Sequence, residues 1–233
     1  MIDRDTSLVA IVDYGLGNLF SIQRACERAS LEATVSSDAR TILSADAIVL
    51  PGIGAFGDAM DALRRLDLVQ PLREAAASEK VLMGVCLGMQ LLMTESHEFG
   101  HHRGLGVIDG EVVGFRETFT GSHRVKVPHV GWNAIRRTRG APGTDPWTDS
   151  LLDGVADNEN MYFVHSFYVV PAAADATLSV SSYGGIEFCS SVRRGNVFGC
   201  QFHPERSGER GLRVYRNLAT RLRMAGTFLG NRQ

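Results

Sequence analysis

Residues 81–93, VLMGVCLGMQLLM, constrain this chain more than any other stretch. VLMGV is a continuous apolar run after the charged turn Glu79-Lys80, the pattern of a short strand buried on both faces. Cys86 follows, bracketed by Gly84 and Gly88 in the order G-x-C-x-G, and residues 89–93 continue as a helix. A strand that turns at once into a helix is the arrangement of a nucleophile elbow, with cysteine where hydrolases of related shape carry serine. The glycines have a steric reason: the central residue is strained, and side chains at the flanking positions would collide with neighbouring backbone. The turn lifts the sulfur clear of the sheet and sets it at a helix N-terminus, where unpaired N–H groups favour thiolate over thiol. A lone cysteine is most often a small core residue. The paired glycines and the strand-to-helix switch point instead to a nucleophile.

The rest of the composition removes several alternatives. At 233 residues and 44% apolar, the chain suits one α/β domain or two small ones with a substantial core. A net charge of −2 invites neither nucleic acid nor an anionic membrane surface. No apolar run approaches a membrane span, and the acidic start MIDRDTSLVAIV does not read as a signal peptide, so a cytoplasmic protein is expected. The four cysteines (Cys26, Cys86, Cys189 and Cys200) form no C-x-x-C pair, so neither a zinc site nor a disulfide framework is expected.

Taken in order, residues 8–12 read as a first strand ending in DYGLGN, and 19–29 as a helix. The dinucleotide fingerprint needs a third glycine where Phe20 stands, so a tight strand–helix turn suffices there. Residues 33–36 and 47–50 read as strands, the latter running into PGIGAF; 58–66 and 68–78 read as helices. This alternation predicts an open, largely parallel α/β sheet with helices on both faces and a site at the carboxyl ends of the strands. Beyond Gly104 the pattern changes to short β runs and hairpin signals: 107–108, a turn at Asp109-Gly110, 111–115, 125–127, 133–135, 161–164, 176–183, 186–192 and 197–202. Residues 211–224 close as a helix, and 136–150 read as a solvated loop. No linker or repeat divides residues 1–233, which read as a single domain.

A thiol nucleophile needs a base, and one of seven histidines stands out, in Gln201-Phe202-His203-Pro204-Glu205. His203 ends a predicted strand, Pro204 stiffens the turn, and Glu205 can take the imidazole N–H. Cys86, His203 and Glu205 are then nucleophile, base and orienting carboxylate. His97, His101, His102 and His123 fall in polar loops and receive no catalytic role, and HEFGHH lacks the H-E-x-x-H spacing of a zinc protease.

PGIGAF, GVCLGMQ and QFHPE together resemble the class I, triad-type glutamine amidotransferases over nearly the whole chain. A finer likeness, to the glutaminase subunits of imidazole glycerol phosphate synthases, rests on DYGLGN, KVPHVGWN at 126–133 and YFVHSFY at 162–168. Val130 and Arg206 depart from it, standing where methionine and lysine are more usual. The resemblance implies hydrolysis of L-glutamine to glutamate and ammonia without cofactor or metal. It also implies a separate (β/α)8-barrel cyclase subunit that uses the ammonia in histidine biosynthesis. It places the oxyanion hole at the N–H groups of Leu87 and Ile53, beside Gly52, and glutamine binding at Gly54, Gln90, Glu98, Ser166 and Phe167. Pro128, His129, Val130, Gly131 and Trp132, with Asn18 and Arg206, are expected at the partner interface.

Overall fold

Short strands of four and five residues lay down the first half of the sheet, the third and fourth of them apolar throughout. In the computed structural model, which describes residues 7–118, 125–138 and 144–230, these are β1 (Leu8–Val12), β2 (Glu32–Ser36), β3 (Ala47–Leu50) and β4 (Val81–Val85). Between them run α1 (Leu19–Arg28), α2 (Ala39–Ser44), α3 (Phe56–Arg65) and α4 (Val69–Ala77). After the elbow come α5 (Leu87–Leu91), β5 (Met93–Ser96), β6 (His102–Arg103), β7 (Ile108–Gly114) and α6 (Phe115–Thr118). The remainder is β8 (His129–Arg137), β9 (Glu159–His165), β10 (Phe167–Pro171), β11 (Thr177–Tyr183), β12 (Ile186–Arg194), β13 (Val197–Cys200) and α7 (Gly208–Gly230).

The main path of the sheet runs β2-β1-β3-β4-β13-β12-β10-β7-β5-β6, with β11, β8 and β9 branching from β12. From β2 to β13 every pairing is parallel; beyond β13 the ladder turns mostly antiparallel. Parallel strands need both faces covered, and the two faces are covered by different helices. Val9, Ile11, Val49 and Met83 pack with α1 and α7 on one side. Ala10, Val12, Ile48 and Leu50 pack with α2, α3 and α4 on the other. All five residues of β4 are buried, and burying each of its larger side chains is worth roughly 2 kcal/mol. Asn18, expected at an interface, caps α1: its side chain accepts the Ser21 N–H at 3.3 Å.

Several expectations needed correction. The helix after the elbow is only Leu87–Leu91, and Met93 already opens β5. Asp109-Gly110 is no turn but lies within β7, where Gly110 lets β10 come close: a Cβ there would sit 2.6 Å from the Val170 carbonyl oxygen. Residues 125–127 form no strand, while α2 and β10 were not anticipated. The expected 136–150 loop begins inside β8, and its Trp147 is fully buried, with the indole N–H donating to the Leu178 carbonyl at 2.8 Å. Arg137 stacks over that ring at 4.2 Å and grips Asp145 with two hydrogen bonds. Residues 139–143 of that segment, like His123 and the start of the chain, lie outside the described residues.

Candidate active site

The elbow is built by close approach. Cys86 sits at φ 55° and ψ −110°, a conformation non-glycine residues rarely hold. It is tolerated because α5 presses onto the strand ends: a Cβ on Gly88 would lie 1.8 Å from the Leu50 carbonyl oxygen, and one on Gly84 would lie 2.7 Å from the Gly88 backbone. The register then decides what the sulfur meets. Gly84 and Val85 of β4 pair with Gly199 and Cys200 of β13, so the chain leaving β13 emerges beside Cys86. That chain is Gln201-Phe202-His203.

His203 is held from three directions. Its backbone N–H donates to the Tyr162 carbonyl at 2.8 Å, its carbonyl accepts from the Ser207 hydroxyl at 2.7 Å, and its Nδ1 meets Glu205 Oε1 at 2.8 Å. Both side chains are buried, at 5% and 1% exposure. Burial alone would pull the imidazole down, but the Cys86 sulfur and the Glu205 carboxylate outweigh it and hold it up to about 10. The sulfur acts on the ring first through its charge and second through hydrogen bonding. A cation beside the sulfur favours thiolate.

A cavity of about 250 Å³ opens next to the sulfur. Cys86, His203, Ile53, Gly54, Leu87, Gln90, Glu98, Ser166 and Phe167 line it, together with Pro128, Val164 and His165. Gly52 and Glu205 stand behind this lining. Gly52 is pressed between Tyr14 and Leu87, and the Tyr14 hydroxyl donates to the Pro51 carbonyl at 2.7 Å, which pins the start of the PGIG loop. Its other end is open: Gly54 sits at φ +97° with free space around it, and Ile53 is 49% exposed. Glu98 is buried and accepts the Phe56 N–H at the start of α3 at 2.7 Å; burial raises its carboxyl, and that hydrogen bond opposes the rise. Gln90 spends its amide nitrogen on the Phe167 carbonyl and on Gln201 Oε1, both at 3.0 Å. Sequence reasoning passed over Gln201, which is fully buried and reaches the nucleophile. The signal was a carboxamide closing an otherwise apolar strand. His97 and His101, away from this lining, pair with Glu111 and Glu95 on the surface.

The strand expected to meet a partner divides by face. Val130 and Trp132 are 52% and 59% exposed, so Trp132 is not a core residue. Its ring meets Tyr162 edge-on at 6.0 Å, and the exposed Arg206 lies over Tyr162 at 4.6 Å, which makes one surface patch next to His203. His129 does not belong to that surface. It is buried, with Nδ1 3.0 Å from His165 Nε2, while His165 Nδ1 lies 2.9 Å from the Phe167 carbonyl. A carbonyl only accepts, so His165 carries its proton on Nδ1 and His129 donates to it.

Burial pulls His129 down to about 4 and His165 to about 3. Unfolded histidines bind protons near 6.5, so on acidification the unfolded state charges first and stability falls from pH 6.5 toward 4. His203 acts in the opposite sense: its contribution is full below 6.5 and is lost as pH rises through about 10. Thermal unfolding followed by circular dichroism is therefore expected to show a maximum near pH 6.5. His129 alone should account for about 2 kcal/mol lost by pH 5. An acid limb as steep in His129→Gln as in the parent would refute the assignment.

Fold and site together place a strained cysteine and a buried histidine–glutamate pair at one cavity of an α/β sheet. The family model for class-I glutamine amidotransferases matches residues 10–221, and the chain belongs to that family. It is 44% identical to imidazole glycerol phosphate synthase subunit HisH of Rhodopirellula baltica, over 91% of this chain and 97% of that one. It is also 44% identical to the HisH subunit of Syntrophotalea carbinolica, over 90% of this chain and 98% of the relative. Among solved structures, PurLQS from Thermotoga maritima superposes with a TM-score of 0.69 at 20% identity, covering 93% of this chain and 99% of that one. The acivicin-bound glutaminase domain of Trypanosoma brucei CTPS gives 0.64 at 15%, covering 94% of each. At those identities the likeness is one of fold. No helix among the described residues is long and apolar enough to cross a membrane.

Proposed function

We propose that this chain hydrolyses L-glutamine to glutamate and ammonia and passes the ammonia to a (β/α)8-barrel cyclase subunit, as the glutaminase half of an imidazole glycerol phosphate synthase. The observation that carries this reading is His203, fixed by Glu205 and set beside the strained Cys86 at the wall of an amino-acid-sized cavity. Cys86 attacks the side-chain amide, His203 protonates the departing ammonia, and water activated by the same imidazole cleaves the thioester. The oxyanion takes the Leu87 N–H just after the nucleophile and the Ile53 N–H from the PGIG loop; losing one such donor costs roughly 3 kcal/mol. Gly54, Gln90, Glu98, Ser166 and Phe167 hold the glutamine α-amino and carboxylate groups. With the Gln90 nitrogen already engaged, its oxygen is the atom left to accept from the substrate ammonium.

Docking of a loaded cyclase completes the oxyanion hole. The pinned Pro51 end and the unobstructed Gly54 let the Ile53 peptide turn toward the thioester site when the partner arrives. Val130, Trp132 and Arg206 form the docking face, and a dry passage keeps ammonia unprotonated on its way across. Glutamate release should be slow for the chain alone and rise by roughly two to three orders of magnitude with the barrel subunit and its nucleotide substrate present. Full-rate hydrolysis by the isolated chain would sink the gating and favour a stand-alone hydrolase. Trp132→Ala should weaken association while leaving the isolated chain folded.

A further inference from the structure

We infer that Gln201 is a positioning residue for the nucleophile, holding the Cys86 sulfur through an N–H···S hydrogen bond whose direction is dictated by a backbone carbonyl. The inference rests on the role assigned to Cys86 above and adds a residue to that site. Gln201 is fully buried, with its Nε2 3.7 Å from Cys86 Sγ.

An amide can be turned end for end, so the direction of this contact has to be argued, and the neighbours settle it. The Phe167 carbonyl accepts only, so the Gln90 atom 3.0 Å from it is the nitrogen. The same nitrogen lies 3.0 Å from the Gln201 amide, which must present its oxygen there. That leaves the Gln201 nitrogen, a donor, facing the sulfur. Turning Gln201 over would set nitrogen against nitrogen and aim an oxygen lone pair at the thiolate. The Phe167 carbonyl also takes the His165 Nδ1 proton, so the acceptor that starts the chain is fixed from two sides.

Other groups around the sulfur do different things. The Val164 carbonyl, 3.8 Å away, can accept only from a neutral thiol and therefore opposes ionisation. The His203 imidazole favours thiolate but changes its protonation during turnover, with Glu205 behind it. Tyr14 and Cys200 are close enough to feel the sulfur, and both are held neutral by burial. Gln201 is a donor that does not titrate. A hydrogen bond to thiolate is stronger than one to thiol or thioester, so it favours the attacking form and keeps it aimed while His203 shuttles its proton.

The test follows Cys86 itself, in the full chain without glutamine. Cys26, Cys189 and Cys200 are buried, each with its thiol pushed up, so alkylation by iodoacetamide, located by mass spectrometry, should report Cys86. In Gln201→Met the midpoint of the alkylation–pH curve should rise by about one unit, with roughly tenfold slower reaction below both midpoints. The kcat for glutamine should fall while KM stays near the parent value. Gln201→Glu keeps the oxygen that Gln90 needs but aims a carboxyl at the sulfur. The positioning role predicts a midpoint displaced at least as far as in Gln201→Met, where the donor is lost with no charge added. Parental alkylation curves in a folded Gln201→Glu variant would overturn the inference even if Gln201→Met fails to fold. Because the readout needs no glutamine, it stands apart from whether the parent chain is a glutaminase.

Discussion

Cys86→Ala is expected to abolish glutamine hydrolysis while the assembled complex still makes product from added ammonium salts. Removing an activated nucleophile typically costs on the order of a million-fold in turnover. Nothing else in the cavity lining can replace it: Ser166 belongs to the wall expected to bind substrate, and the other cysteines are buried elsewhere in the core. The fold should survive, because the change deletes one sulfur whose hydrogen bonds to Val164 and Gln201 are long. If the ammonia-consuming step lies on the other subunit as proposed, ammonium-driven synthesis should run near the parental rate. Retained glutamate release by a correctly folded Cys86→Ala protein would remove the nucleophile assignment.

His203→Asn should be nearly as damaging, since thiolate formation and protonation of the leaving ammonia both depend on the imidazole. It should also lower the unfolding midpoint, because the Glu205 carboxylate would stay buried without its 2.8 Å partner. Glu205→Gln should cost less, perturbing the orientation of the ring and the stability of the imidazolium while leaving the base in place. Single-turnover rates separate the two. A defect in Glu205→Gln equal to or larger than that in His203→Asn would mean that the carboxylate does more than orient.

How far the sequence could be read depended on whether a residue's surroundings were local. The parallel half was legible because runs such as AIVL and VLMGV are buried on both faces and bounded by glycine turns. The elbow was legible because G-x-C-x-G after an apolar run is a local pattern, although Gly88 answers the distant Leu50 carbonyl. Asp109-Gly110 misled because the same glycine that permits a turn also permits close strand approach, and the strand it faces lies some 60 residues on. Trp147 misled because its neighbours are charged and turn-forming; the pocket that takes its ring is closed by the distant Leu178 carbonyl. The inward face of His129 was hidden for the same reason, since its partner His165 comes from the next strand of a hairpin. Gln201 stood inside a recognised motif. What it touches could be seen only once β13 lay against β4.

That pairing of β4 with β13 also bears on when reactivity arises during synthesis. The elbow leaves the ribosome long before β13, the last strand among the described residues, so a growing chain exposes a thiol with neither base nor amide donor beside it. Such a thiol lacks the neighbours that would activate it. Both arrive in one step, because Gln201 and His203 follow directly from the end of β13. Closing the sheet is the step that brings both groups to the proposed nucleophile.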